Sequence, residues 1–172
     1  VGAAEGALVT FGVAPSRAET GYGYIQVADP DAGLQGVQSF VEKPTDTVAN
    51  DYLQAGNFLW NSGMFVFKAS VYLKELQDQD AEMFFHCQSA FRRSVLEAGV
   101  IRLSEQAFNL CPNNSIDYAI MEKSENLAVM PYDGKWSDLG GWDAVWRESA
   151  PDEQGNVASP RATAIDCENS LL

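Results

Sequence analysis

Cationic side chains are scarce: 11 Lys and Arg stand against 24 Asp and Glu, with a single His, for a formal charge of −13 at pH 7. Binding a nucleic-acid duplex takes clustered Lys and Arg to neutralise phosphates, so this balance argues against nucleic acid as a partner. A small phosphorylated ligand stays open, because one or two well-placed cations are enough to hold it. Cysteine is sparse too. Cys87, Cys111 and Cys167 are scattered, with no CxxC or Cys/His ligand spacing, and His86 beside Cys87 is better explained by packing than by a metal. A reduced, cytoplasmic setting fits that usage. No apolar run approaches the roughly 20 residues of a membrane span. The first residues, VGAAEGALVTFGVAP, lack both the basic start and the continuous apolar stretch of a signal peptide. They also lack an initiator Met and enter strand-like sequence almost at once, as expected of a chain cut from something longer. No internal repeat and no low-complexity segment is found.

What remains is a chain of 172 residues, 46% hydrophobic, with the size and composition of one globular domain that buries a substantial core. Ala7 to Val13 is an apolar, β-branched run closed by Pro15, and predicts a buried strand. Tyr22 to Val27 and Gly36 to Val41 predict two more, a hairpin or meander around the turn cluster Asp29-Pro30-Asp31-Ala32-Gly33. Thr45 or Asp46 can cap a helix that carries Val48 and Tyr52 and stops at Gly56. Phe58 to Phe67 predicts a strand interrupted at Asn61-Ser62-Gly63. Ala69 to Ala98 has helical spacing, with Gly99 as its stop. Ser115 can cap a helix with Ile116, Ala119 and Ile120, and Asp117 in its first turn. Leu127 to Met130 is a strand, and Gly141 leads into a helix with Trp142 and Trp146 on one face, a spacing most simply read as core packing. This alternation predicts an α/β fold with a mixed, mostly parallel sheet and flanking helices.

Ligands of such sheets sit beyond the carboxyl ends of strands, and four clusters fall at those places. Glu42-Lys43-Pro44 offers an ammonium suited to a phosphate and a carboxylate able to accept two sugar hydroxyls; taken alone, a solvated strand end explains it more simply. Asn61 both donates and accepts, which suits a hydroxyl, though a bulge in a buried strand accounts for Asn61-Ser62-Gly63 equally well. Gly21 and Gly23 around Tyr22 either admit a ligand close to the backbone or relieve a turn. Asp138, after Trp136 and before Gly140-Gly141, is a hard oxygen donor for Mg²⁺ or else a turn or cap residue. Asp117 could hold a ligand hydroxyl, but it suits a helix N-terminus as it stands.

In order along the chain, TFGVAPSRAETGYGYI, FVEKP, GNFLWNSGMFVF, SIDYAIMEK, WSDLGGWDAVW and ENSLL resemble the sugar-nucleotide pyrophosphorylases, specifically bacterial mannose-1-phosphate guanylyltransferases. The set spans nearly the whole chain and is specific as an ordered group, where EKP alone would mean little. The resemblance implies a Rossmann-like nucleotidyltransferase fold, incomplete at its amino terminus, with residues 1–150 as its sugar-phosphate half and 151–172 as a linker and the start of a carboxy-terminal extension. It implies transfer of a guanylyl group from GTP to mannose 1-phosphate with Mg²⁺ in the cytoplasm, and it allows a homo-oligomer. Carried over motif by motif, Lys43 holds the phosphate, Glu42 and Asn61 bind sugar hydroxyls, and Gly23 meets the sugar through its backbone. Tyr22 and Trp136 line the pocket, and Asp138 is one of two Mg²⁺ carboxylates. The family's glycine-rich nucleotide loop, GGxGxRLxPLS, and the other carboxylate are absent from these residues, so the chain alone is expected to be inactive. At Leu139-Gly140-Gly141 the commoner residues at the first and third positions are valine and serine, a conservative departure. The competing class is a non-catalytic sugar-nucleotide-binding or regulatory subunit.

Overall fold

In the computed structural model, which describes residues 2–172, strands dominate the first half of the chain. They are β1 (Leu8–Val13), β2 (Tyr24–Gln26), β3 (Gln35–Gly36), β4 (Ser39–Val41) and, after helix α1 (Asp46–Ala55), β5 (Phe58–Val66). Helices α2 (Ala69–Gln79) and α3 (Ala81–Arg92) follow, then a hairpin of β6 (Val95–Glu97) and β7 (Val100–Arg102), and the short helix α4 (Glu105–Phe108). A π-helix (Asp117–Met121) leads to β8 (Leu127–Pro131), and α5 (Trp142–Glu148) comes last. Six strands form one sheet in the order β3-β8-β1-β5-β2-β4. The mixed α/β architecture is the expected one. Mostly parallel it is not: only β1 and β8 run parallel, and the other four pairings are antiparallel. The connection from β2 to β4 contains the short strand β3 and no crossover helix, so the chain returns antiparallel beside β2.

The expected strand Gly36 to Val41 divides. Gln35–Gly36 pairs with β8 at one edge of the sheet, and Ser39–Val41 pairs with β2 at the other. The two residues between them bridge both ways: Val37 N–H donates to Leu127 O at 3.2 Å, and Gln38 N–H to Gln26 O at 2.9 Å. A segment this short reaches both edges only because the sheet curls round on itself. Leu8, Ile25, Val27, Leu59 and Val129, none more than 2% exposed, fill the interior with Ile120 and Met121 of the π-helix and Leu76 of α2.

The helical stretch expected from Ala69 to Ala98 is also interrupted. Asp80 ends α2 and caps α3, its side chain accepting from Met83 N–H at 3.0 Å. Ala98 and Gly99 both take left-handed backbone (φ 48° and 80°), as the central pair of a tight hairpin turn does, so Gly99 turns a hairpin instead of ending a helix. In that region the Sγ atoms of Cys87 and Cys111 lie 3.6 Å apart, and burial beside the neighbouring thiol pushes Cys111 up to about 11. Thr45 precedes α1 without a side-chain cap bond, and Gly56 ends that helix in left-handed backbone.

Val1–Asp133 and Gly134–Leu172 are separate compact units. The second is organised by Asn156, 3% exposed, whose amide donates to Cys167 O at 2.8 Å and accepts from Ser170 N–H at 3.1 Å. Trp146 donates its indole N–H to Gly155 O at 2.9 Å. Trp142, read as packed in the core with it, is instead 79% exposed. It is the first residue of a seven-residue helix whose buried position is Ala144, so matching helical spacing does not bring it under cover. Among the described residues no helix is long and apolar enough to cross a membrane.

Candidate functional site

Register assembles the site. Tyr24 of β2 pairs with Val41 of β4 on one side and with Trp60 of β5 on the other. One step along, Gly23 therefore lies between Glu42 and Asn61, three residues from three strands in one row. Asn61 N–H donates to Gly23 O at 2.8 Å, and Lys43 N–H to Tyr22 O at 3.2 Å, which extends the pairing past the ends of β2 and β4. The central residue has to be small. A Cβ on Gly23 would stand 2.5 Å from Glu42 Oε2 and 3.2 Å from the Asn61 Cβ. Because glycine has no side chain, the Glu42 carboxylate can lie over the backbone of the row.

Glu42 is held for use. Its side chain is 9% exposed, and its Oε2 is buried without a hydrogen-bond partner among the described residues. Leaving such an atom unpaired is costly, and carboxylates in that position commonly await a donor. Burial, and then the Asp117 carboxylate, push Glu42 above the ordinary carboxylate range; Lys43 pulls the other way and Glu122 adds a little to the rise. Alternation would send Lys43 to the opposite face, but β4 ends at Val41 and Lys43 adopts left-handed backbone with φ 47°. Its Nζ comes to 3.6 Å from Glu42 Oε1 while the side chain stays 56% exposed. An accessible cation thus sits beside a hydroxyl acceptor.

Asn61 is more tightly engaged than its sequence suggests. Oδ1 accepts from the Thr10 hydroxyl at 3.0 Å and from Gly63 N–H at 3.1 Å, and Nδ2 donates to Asp117 Oδ1 at 3.1 Å. With both lone-pair directions of Oδ1 in use, the amide has one N–H left to offer. The interruption at Asn61-Ser62-Gly63 is a bulge inside one long strand: the β1–β5 register shifts opposite it, and Gly63 has φ 71°. Tyr22, 8% exposed, meets Trp60 edge-on with ring centroids 5.2 Å apart, and the Arg17 guanidinium lies 5.2 Å from the Trp60 ring centroid. Trp136 and Asp138 belong to the second unit. Trp136 is half-buried and Asp138 exposed, in an irregular loop where Leu139 has φ 48°.

Four groups here were not singled out from sequence: Thr10, Arg17, Trp60 and Glu122. Arg17 lies inside the quoted SRAET stretch, and an Arg beside aromatic-rich strands is a signal for cation–π contact. Glu122 Oε1 accepts from Glu42 N–H at 2.8 Å across 80 residues of chain, and nothing in helical periodicity points to it. No group of three or more His, Cys, Asp or Glu side chains converges as a metal cage among the described residues. A single solvent-facing carboxylate such as Asp138 fits Mg²⁺ nonetheless, since that ion keeps several waters and takes one or two carboxylates with substrate phosphates. The apolar cleft between α2 and α3, about 680 Å³ and walled by Leu73, Leu76, Phe84 and Phe91, is ill suited to a sugar phosphate.

The row on this curled α/β sheet thus combines a glycine, a hydroxyl acceptor and an adjacent cation, a chemistry that suits a small phosphorylated, hydroxylated ligand. Residues 2–155 match the nucleotidyl transferase family, and the chain belongs to it. It is 43% identical to the alginate biosynthesis protein AlgA of Pseudomonas aeruginosa over 99% of this chain and 36% of that protein. It is 44% identical to a mannose-1-phosphate guanylyltransferase of Sinorhizobium fredii over 100% of this chain and 34% of the relative. The chain thus spans about a third of the length of the curated relatives it matches. Among solved structures, a protein named mannose-1-phosphate geranyltransferase from Thermus thermophilus superposes with TM-score 0.77 at 30% identity, over 92% of this chain and 45% of that one. A protein named mannose-6-phosphate isomerase from Helicobacter pylori gives TM-score 0.73 at 36% identity, over 80% and 54%.

Proposed function

We propose that the intact protein transfers a guanylyl group from GTP to mannose 1-phosphate, and that this chain supplies the sugar-phosphate half. The observation that carries the reading is the Glu42–Gly23–Asn61 row with Lys43 at its edge. The names of the relatives narrow the sugar to mannose. In this reading a phosphate oxygen of mannose 1-phosphate attacks the α-phosphorus of GTP, the bond to the β-phosphate oxygen breaks, and pyrophosphate leaves with GDP-mannose formed. Such a step is accelerated mainly by positioning and charge neutralisation. Lys43 neutralises the sugar phosphate. Glu42 Oε2 takes a sugar hydroxyl that compensates its buried lone pairs, the remaining Asn61 N–H meets another, and the Gly23 backbone floors the ring. Tyr22 borders that row, and a role for Trp136 in lining the pocket rests on motif order alone. Asp138 would hold Mg²⁺, which supplies charge neutralisation at the phosphates when bound. A cytoplasmic location belongs to the same proposal.

The test is product formation by the intact protein. Incubation with GTP, mannose 1-phosphate and Mg²⁺ should give GDP-mannose and pyrophosphate in equal amounts, with saturable dependence on both substrates. Mannose 1-phosphate binding without turnover would assign the protein to the non-catalytic class. No binding at all would remove the site.

A further inference from the structure

The turn that carries Asp117 and Glu122 is a π-helix, Asp117–Met121, closed by Glu122 N–H donating to Asp117 O at 2.9 Å. In an α-helix, residues five apart point about 140° away from each other. A turn closed by i to i+5 bonds stacks them, and such turns are frequent at functional sites. Asp117 consequently faces Asn61 of β5, and Glu122 faces the residue that follows β4. Asp117 Oδ1 accepts from Asn61 Nδ2, and Glu122 Oε1 accepts from the backbone N–H of Glu42. Ala119, Ile120 and Met121, each at most 1% exposed, lock the turn onto the core, so its two acceptors are fixed in space.

What Glu122 holds is an unfavourable stretch of backbone. Lys43, one residue on from Glu42, has φ 47°, a left-handed conformation that costs a residue with a Cβ and persists only where neighbours impose it. Lys43 N–H to Tyr22 O continues the β2–β4 register, and the added hold is Glu42 N–H to Glu122 Oε1, which fixes the residue before the left-handed one. In regular strand geometry the Glu42 and Lys43 side chains would go to opposite faces.

We infer that Glu122 is a positioning residue for sugar-phosphate binding: as a hydrogen-bond acceptor it holds the Glu42–Lys43 turn in the conformation that brings both side chains to one ligand. This rests on the function proposed above. It assigns Glu122 no contact with substrate and no part in proton transfer. The requirement is an oxygen at the right reach, and charge is secondary, since the negative charge of Glu122 works against ionisation of Glu42.

The distinction can be tested in the intact protein with Glu122→Gln, which keeps an acceptor oxygen at the same reach without the charge, and Glu122→Asp, which keeps the charge but is one methylene short. Steady-state constants for mannose 1-phosphate and GTP are measured beside the melting temperature. Glu122→Asp should raise the KM for mannose 1-phosphate about tenfold, the scale of a hydrogen bond to a charged group, with the KM for GTP within about twofold. Glu122→Gln should stay within about threefold for mannose 1-phosphate. Glu122→Ala should match the Asp variant if it folds, and the Gln and Asp pair decides the question if it does not. The reverse order, Asp close to wild type and Gln impaired, would make the role electrostatic and overturn the inference. So would equal KM rises for both substrates, or no change in either variant. Wild-type protein without any dependence on mannose 1-phosphate would instead overturn the function on which the inference rests.

Discussion

Gly23 and Glu42 share a space that only one of them can fill: a Cβ on Gly23 would lie 2.5 Å from Glu42 Oε2. The backbone of Gly23 needs no left-handed φ, so its smallness matters here and its flexibility does not. Gly23→Ala should therefore fold, because the obstructing atom is the end of a side chain that can swing aside. It should nonetheless lose affinity for mannose 1-phosphate, because the carboxylate is displaced from its place over the row. A melting temperature near wild type with a raised KM for mannose 1-phosphate is expected. An unchanged KM would show that this placement of Glu42 is not used.

Glu42→Gln separates stability from binding. Burial and Asp117 raise Glu42 above the ordinary glutamate value of about 4.3. For a carboxyl raised in the folded state, the stability it contributes is present below the unfolded value and is lost as pH climbs through the folded one. The fold thus disfavours the ionised form that rising pH demands, and the isosteric amide is spared this. Glu42→Gln should melt higher than wild type at pH 8, by a margin that narrows toward pH 5, while binding mannose 1-phosphate more weakly. A margin independent of pH would contradict the cause given for the shift.

Lys43 combines a charge with a strained backbone. Lys43→Ala removes a charge-assisted contact, about 1.5–3 kcal/mol or roughly 10- to 150-fold in the KM for mannose 1-phosphate, with the KM for GTP little changed. Lys43→Arg should be impaired too, since a planar guanidinium does not occupy an ammonium's position. Lys43→Gly should lose the same affinity as Ala yet melt higher, because glycine adopts a φ of 47° without cost. If Lys43→Ala weakened GTP instead, the residue would belong to the other substrate.

Much of this site was legible in the sequence, and the limits have physical causes. Glu42, Lys43, Asn61 and Gly23 were candidates from strand ends and residue chemistry; register aligns Glu42, Gly23 and Asn61, and the left-handed backbone of Lys43 brings its side chain beside Glu42. The internal engagement of Asn61 was not legible, since Thr10 and Asp117 reach it from 51 and 56 residues away. Glu122 was invisible because periodicity arguments assume 3.6 residues per turn, and the turn before it is a π-helix. The sheet was read as mostly parallel from strand–helix alternation, which cannot reveal that residues 35–41 serve both of its edges. Ala69 to Ala98 looked like one helix because its apolar spacing crosses the Asp80 cap unbroken. Fold class survived these local errors, as it depends on which elements exist more than on where they end.

Asp138 is assigned from motif order, and its chemistry is separable from a structural role. Asp138→Asn keeps an oxygen but loses the charge that offsets Mg²⁺. Turnover of the intact protein should fall at least about tenfold, about 1.4 kcal/mol in barrier, with partial rescue at high Mg²⁺ or by Mn²⁺. A turn or cap residue would behave differently, costing about 1 kcal/mol of stability and little chemistry. A lowered melting temperature with unaltered Mg²⁺ dependence would leave Asp138 as scaffold.

The central claim is that the row Glu42–Gly23–Asn61 and the adjoining Lys43 bind mannose 1-phosphate, and calorimetric titration of that ligand into the intact protein tests it most directly. Wild-type protein should bind one equivalent, and both Lys43→Ala and Glu42→Gln should weaken binding about tenfold or more while remaining folded. Wild-type affinity retained in both variants would place the sugar phosphate elsewhere and contradict the assignment.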